Sequence, residues 1–261
     1  MDALILLCND DGVHAAGNIA LRDALAPLGR VVTVVPEHNQ SAGSHSITLH
    51  RPLRHREVEP DVHAVDGTPA DCIYIALFHG DILPRMPNVV VSGINHGPNL
   101  GSDVFYSGTV AAAREGALRG IPALAVSQCS GLDYTPAATL TRQMVASLLT
   151  QLPLDAPTPL LNVNLPGPSW SSVRATCLGQ RHYEDEVTIR HDPRGRPYVW
   201  IGGPGARHGA VTGSDTEAID AGIVSVTPLR LDTTCMVHQR LAQQLVASSA
   251  TVQTSHTGAE A

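Results

Sequence analysis

The chain has 261 residues, 43% of them hydrophobic, and its 17 basic and 24 acidic side chains give a formal charge of −7. That length and apolar content allow one large domain with a full core, and the acidic balance disfavours a nucleic-acid polymer as partner, because phosphate backbones are held by surplus positive charge. The sequence contains no lysine, which excludes a Walker A loop and Schiff-base chemistry.

The predicted elements alternate strand and helix. Ala3 to Cys8 reads as a buried strand, residues 17–28 as an amphipathic helix with Ile19, Leu21, Leu25 and Leu28 inward, and Val31 to Val35 as the next strand. A turn-rich loop runs from Pro36 to Ser46, and Ile47 to Val65 reads as short strands or a hairpin. Thr68 is the expected N-cap, Pro69 the first helical residue and Asp71 a first-turn acid of a helix reaching about His79. Val89-Val90-Val91 is another strand, followed by a long Gly/Asn loop and a helix from about Thr109 to Arg119. Leu124-Ala125-Val126 and Leu160-Leu161-Asn162-Val163 add two strands, with a helix over 137–152 between them. This order predicts a Rossmann-like α/β core over residues 1–165, with a doubly wound, mainly parallel sheet.

After Pro166, Gly, Pro, Arg and Trp become frequent. Val187-Thr188-Ile189-Arg190 and Pro197-Tyr198-Val199-Trp200 flank Asp192-Pro193-Arg194-Gly195 like two arms of a hairpin. Ile223-Val224-Ser225-Val226 is a late strand returning to the core, and residues 235–247 form a final helix. Residues 166–247 thus read as a C-terminal extension, and 248–261, rich in Ser, Thr and Ala, as a disordered tail. Cys8, Cys72, Cys129, Cys177 and Cys235 are widely spaced and never form Cys-x-x-Cys, which argues against a disulfide framework and a zinc site and for a reducing cytoplasm. The first apolar run is too short for an export signal, and no stretch is long enough to cross a bilayer, so no membrane partner is expected.

Asn9-Asp10-Asp11-Gly12 follows the first strand directly, where open α/β folds keep their chemistry. Adjacent carboxylates repel, and a buried strand end tolerates them mainly with a cation between them, of the hard kind that Mg²⁺, Mn²⁺ or Ca²⁺ represents. A second cluster, Ser92-Gly93-Ile94-Asn95-His96-Gly97-Pro98-Asn99-Leu100-Gly101, ends another buried strand; Asn95 offers a neutral oxygen, and the glycines let backbone approach a ligand. It runs on to Tyr106-Ser107-Gly108-Thr109, whose amides and hydroxyls at a helix start suit phosphate. A metal beside a phosphate cradle is how phosphoryl hydrolysis is assembled. Ser41, in the loop after the second strand, is a candidate to complete the metal's ligand set, and His45 and His96 are candidates for a general acid or a phosphate contact.

A haloacid-dehalogenase-type phosphatase would carry its nucleophilic Asp where this chain has Asn9, and would need a lysine. Direct attack by a metal-bound water is therefore the expected route. A glycosyltransferase-like or other Rossmann enzyme is weakened as a reading by the lack of Gly-x-Gly-x-x-Gly after the first strand. The rival from another class is a non-catalytic nucleotide- or metal-binding regulatory module using the same loops.

Taken together, Asn9-Asp10-Asp11-Gly12, Asn39-Gln40-Ser41, Gly67-Thr68-Pro69-Ala70-Asp71-Cys72, Ser92-Gly93-Ile94-Asn95-x-Gly97-Pro98-Asn99-x-Gly101 and Tyr106-Ser107-Gly108-Thr109 resemble the survival protein SurE family of nucleotidases. The resemblance continues through Asp192-Pro193-Arg194-Gly195, Trp200-Ile201-Gly202 and Val224-Ser225-Val226-Thr227-Pro228-Leu229. It implies a metal-dependent phosphatase acting on nucleoside 5′- and 3′-monophosphates, some members also trimming short polyphosphate. It implies that Asp10, Asp11, Ser41 and Asn95 ligate one divalent cation per subunit, Mn²⁺ or Mg²⁺, with Asp10 and Asp11 as the catalytic carboxylates. Asn9, Asn95, His96, Gly97, Ser107, Gly108 and Thr109 would then lie at the substrate and its phosphate. Family members are dimers or tetramers exchanging C-terminal elements, which implies a homodimer or homotetramer in which the hairpin and final helix serve oligomerisation.

Overall fold

Strand β1 (Ala3–Cys8) is apolar along its whole length because helices cover both faces of the sheet it belongs to, the usual situation in parallel sheets. The structure, a computed structural model, describes residues 3–151, 157–183, 187–202 and 205–253. β1 lies within a nine-stranded sheet with β2 (Gly29–Pro36), β3 (His55–Glu59), β4 (Val62–Val65), β5 (Val89–His96), β6 (Ala123–Gln128), β7 (Leu160–Leu165), β8 (Val173–Ala175) and β13 (Val224–Pro228). The spatial order is β3-β4-β2-β1-β5-β6-β7-β13-β8. The pairs from β4 through β7 are parallel, β3 runs antiparallel to β4, and β13 is antiparallel to β7 and parallel to β8. The chain builds outward from β1 through β2 and β4, then returns to the other side of β1 as β5. The reversal therefore falls between the carboxyl ends of β1 and β5, the place where open α/β sheets bind ligands.

Helices α1 (Ala16–Leu25) and α4 (Thr135–Gln151) pack together, as do α2 (Pro69–Phe78) and α3 (Gly108–Leu118). Leu21, Leu25, Ala138 and Val145 from α1 and α4 bury against Ile5, Leu7, Val89, Val91, Leu124 and Val126 of the strands. Side chains alternate across a strand, so Val90 faces the other layer, where α3 lies close: a Cβ on Gly116 would fall 2.5 Å from Val90 Cγ2. This is the mainly parallel α/β arrangement expected. Thr68 caps α2 as expected, and Asp71 completes a capping box, with Thr68 Oγ1 accepting from Asp71 N at 3.1 Å and Asp71 Oδ2 from Thr68 N at 2.9 Å.

Some local expectations change. Helix α1 ends at Leu25 and passes into a 3₁₀ turn over Ala26–Leu28, because Pro27 has no amide to continue the ladder. Ile19 is 39% exposed; the inward face is Gly17, Asn18, Leu21 and Leu25, and Ile19 lies one residue, about 100° of rotation, away from Asn18. β5 runs on to His96, so Ser92 to Asn95 belong to the strand end and not to the loop.

Within the extension, β10 (Val187–His191) and β11 (Pro197–Ile201) form the expected antiparallel hairpin. β9 (Arg181–Tyr183) pairs with β12 (Ala206–His208), and a short helix α5 (Asp215–Asp220) precedes β13. Residues Met1–Leu229 make one compact unit and Arg230–Ala261 another. In the second, a 3₁₀ turn at Met236–His238 leads into α6 (Gln239–Gln253), where a helix over 235–247 was predicted; the rest of the predicted tail, 254–261, lies outside the described residues. Among the described residues no helix is long and apolar enough to cross a membrane.

Candidate active site

The turn after β1 is closed by Asn9, whose Nδ2 donates to Gly12 O at 2.8 Å and whose Oδ1 accepts from Gly12 N at 3.3 Å. Gly12 adopts φ +101°, a conformation that favours glycine. The turn presents two carboxylates in different states. Asp10 is 4% exposed and clamped by α3: Oδ1 accepts from Thr109 Oγ1 at 2.5 Å and Oδ2 from Thr109 N at 3.1 Å. Asp11 is less buried, and its Oδ2 accepts from His96 N at 3.3 Å. Burial pushes the Asp10 carboxyl up to about 6; the Thr109 hydroxyl pulls it down, and the adjacent Asp11 pushes it further up. Asp11 is raised as well, chiefly by burial, with the His96 amide opposing.

Two neighbouring carboxylates, both raised and neither acted on by an arginine, are the chemistry of a cation site. Neutral oxygens come from two other segments. Ser41 and Asn95 line the same cleft as Asp10. Asn95 Nδ2 donates to Gly97 O at 2.8 Å, leaving the amide oxygen for a ligand's role. The Ser41 loop is tied to the turn by Gln40 N donating to Asp10 O at 2.8 Å. Among the described residues there is no cluster of three or more His, Cys, Asp and Glu with metal geometry, so a cation here would rest on two carboxylates and neutral oxygens, a hard donor set.

The start of α3 is used first on protein groups. Thr109 is fully buried with its amide and hydroxyl engaged by Asp10, and the Val110 amide donates to Ser107 Oγ at 3.0 Å as an N-cap. Two amides expected to be free for phosphate are therefore taken, and Thr109 acts as a brace for the carboxylate. Gly108 fits because nothing larger would: a Cβ there would meet Asp10 Cβ at 2.9 Å. Ser107, His96 and Gly97 line the cleft. The His96 ring is fixed by Nδ1 lying 3.0 Å from the Tyr134 hydroxyl.

Sequence reasoning missed the groups that hold these loops. Asn18, buried on α1, donates through Nδ2 to Cys8 O at 3.2 Å and Gly93 O at 3.1 Å, joining the ends of β1 and β5. Asn162 and Asn164 on β7 both donate to Asn99 O, at 2.8 and 3.1 Å, and Asn164 Oδ1 accepts from Asn99 N at 2.8 Å. Asp215, fully buried, accepts from Gly101 N at 2.9 Å, Gly179 N at 2.7 Å and Thr216 N at 2.8 Å. Further along the cleft, Asp103 pairs with Arg181 and accepts from the Tyr183 hydroxyl at 2.6 Å.

His45 is not among the residues that line the cleft. Its Nε2 is 2.9 Å from Glu115 Oε2 on α3, where Arg119 Nη2 also reaches Glu115 Oε1 at 2.7 Å. The His45 bond, then Arg119, holds the Glu115 carboxyl below its usual range. A folded-state value below the unfolded one, about 4.3 for Glu, means that Glu115 contributes stability above that pH and loses it as pH falls through the lower folded value. Melting temperature between about pH 5 and 3 is expected to fall less steeply for Glu115→Gln than for the parent; parallel profiles would remove this pair from the acid response.

A profile of the family described as Survival protein SurE matches residues 5–185. The chain is 57% identical over 251 residues to the 5′-nucleotidase SurE of Sorangium cellulosum (strain So ce56), covering 95% of this chain and 97% of that protein. It is 49% identical over 236 residues to the 5′-nucleotidase SurE of Myxococcus xanthus (strain DK1622), covering 88% of each. Its structure is similar to the crystal structure of the SurE protein from Aquifex aeolicus, with a TM-score of 0.79 and 39% identity, covering 93% of this chain and 99% of that one.

Proposed function

The chain belongs to the survival protein SurE family, and from that membership and the geometry of its site we propose that it is a metal-dependent phosphatase hydrolysing nucleoside 5′- and 3′-monophosphates to nucleoside and phosphate. The observation that carries the reading is the pair of raised carboxylates, Asp10 and Asp11, at the switch between β1 and β5, of which Asp10 lines a cleft with Ser41, Asn95 and the Ser107 cap of α3. In this reading Asp10, Asp11, Ser41 and Asn95 hold one divalent cation per subunit, Mn²⁺ or Mg²⁺. When bound, the cation supplies Lewis-acid activation of water and neutralises charge on the phosphate oxygens.

The chain's own residues divide the remaining work. Asp10, locked by Thr109, holds the cation; Asp11, the less buried carboxylate, orients the attacking water and takes its proton. His96, Gly97, Ser107 and Gly108 contact the phosphate. Thr109 and Asn9 serve at one remove, by aiming Asp10 and by closing the turn. The exposed apolar side chains of the hairpin, among them Ile189, Val199 and Trp200, support a self-associating extension, as do Leu241 and Leu245 on α6. The cysteines among the described residues are free thiols, which supports a cytoplasmic protein.

Phosphate release from a panel of 5′- and 3′-nucleoside monophosphates and short polyphosphate, with Mn²⁺, Mg²⁺ or EDTA, tests the reading. Release with a cation and none in EDTA is expected; nucleotide binding with no release under either cation would overturn it.

A further inference from the structure

The residues so far assigned occupy only part of the cleft, which encloses about 550 Å³. That is far more than one phosphate needs and lies within the roughly 300–1,000 Å³ of small-molecule sites. The rest of its lining includes Asp103, Tyr106, Arg181, Tyr183 and Ile201. Arg181 is the one arginine in that lining, in a chain without lysine.

How Arg181 is held decides what it can recognise. Its Nη1 pairs with Asp103 Oδ2, while Asp103 Oδ1 accepts from the Tyr183 hydroxyl at 2.6 Å, so both carboxylate oxygens are engaged. Arg181 Cζ lies 5.3 Å from the centroid of the Tyr183 ring. The guanidinium has five N–H donors, and its Nε is buried without a hydrogen-bond partner. Because Asp103 cancels its charge at contact distance, the group is poorly suited to a second phosphate and well suited to a neutral acceptor. Tyr183 and Tyr106 are 49% and 66% exposed and offer ring faces of the kind on which bases stack. The arrangement is built in: Asp215 ties Gly179, two residues before Arg181, to Gly101, two residues before Asp103.

Resting on the hydrolase reading above, we infer that Arg181, steadied by Asp103 and Tyr183, binds the nucleoside of the substrate and distinguishes a nucleoside monophosphate from a small phosphomonoester. Arg181 offers donors to acceptors on base and sugar, and Tyr183 offers a stacking face.

The test compares kcat/KM for a nucleoside 5′-monophosphate and for phenyl phosphate, at one fixed cation concentration, in the parent, Arg181→Gln, Arg181→Lys and Tyr183→Leu. Arg181→Gln is expected to lower the nucleotide value at least about tenfold more than the phenyl phosphate value, chiefly through KM. Arg181→Lys should behave like Arg181→Gln, because a point charge does not replace a planar fork. Equal losses on both substrates, including complete loss, or no loss on either, would overturn the inference. Should Arg181→Gln not fold, Tyr183→Leu decides the matter: a shifted ratio supports the inference and an unshifted one overturns it. A parent that releases phosphate from neither substrate overturns the hydrolase reading and this inference with it, whereas an active parent with an unmoved ratio overturns this inference alone.

Discussion

Asp10→Asn is expected to lower cation-dependent phosphate release by about 10³-fold or more, since the contribution at stake is several kcal/mol and each 1.36 kcal/mol is a factor of ten. The fold should survive. Asp10 is buried beside Asp11 with its carboxyl already raised to about 6, so a neutral side chain of the same shape removes a repulsion while its oxygen still accepts from Thr109. Thermal melting separates the two effects. The parent should gain stability when Mn²⁺ or Mg²⁺ is added, because an ion that binds only the native state stabilises it. Asp10→Asn should melt near the parent in EDTA and gain little from either ion. Retained turnover would remove Asp10 from the mechanism, and a large loss of stability in EDTA would show that its carboxylate is structural.

Asp215→Ala is expected to produce the largest loss of stability. The side chain is fully buried and accepts three backbone amides, from Gly101, Gly179 and Thr216. Leaving a buried donor unsatisfied costs about 1–3 kcal/mol, so the sum is about 3–5 kcal/mol after local relaxation. For a chain of this size each kcal/mol shifts the melting temperature by roughly 2–4 °C, giving a drop of about 10 °C. Thermal or urea denaturation at neutral pH measures it. A change below about 1 kcal/mol would mean that water replaces the carboxylate at all three amides.

Much of this architecture was legible because local and tertiary signals agree. The apolar runs of β1, β5 and β6 need burial on both faces, and the Thr68-Pro69-Asp71 cap writes the start of α2 in three residues. The carboxylates could be found because a hydrophobic strand ending in two acids is costly without a purpose. What stayed hidden depends on partners distant in sequence. Thr109 reads as a helix-start residue, and only the packing of α3 brings it to Asp10, 99 positions away. Asp215 opens a six-residue helix and reads as an ordinary first-turn acid until Gly101 and Gly179 fold onto it. The three-residue strands β8, β9 and β12 are too short to show a period. One signal was present and passed over: Asn162 and Asn164 alternate within an otherwise apolar strand, which puts both amides on one buried face, where each needs a partner. That partner is the loop at Asn99.

The grip of Thr109 on both oxygens of Asp10 has a bearing on how an ion arrives. The carboxylate is already aimed, by a helix that Gly116 lets settle directly onto Val90. Were Asp10 to hold a cation as proposed, no segment would have to be ordered to present it, and the pace of loading would belong to the ion and not to the chain: one that surrenders its hydration shell reluctantly, as Mg²⁺ does, would fill this half of the site slowly however ready the protein stands.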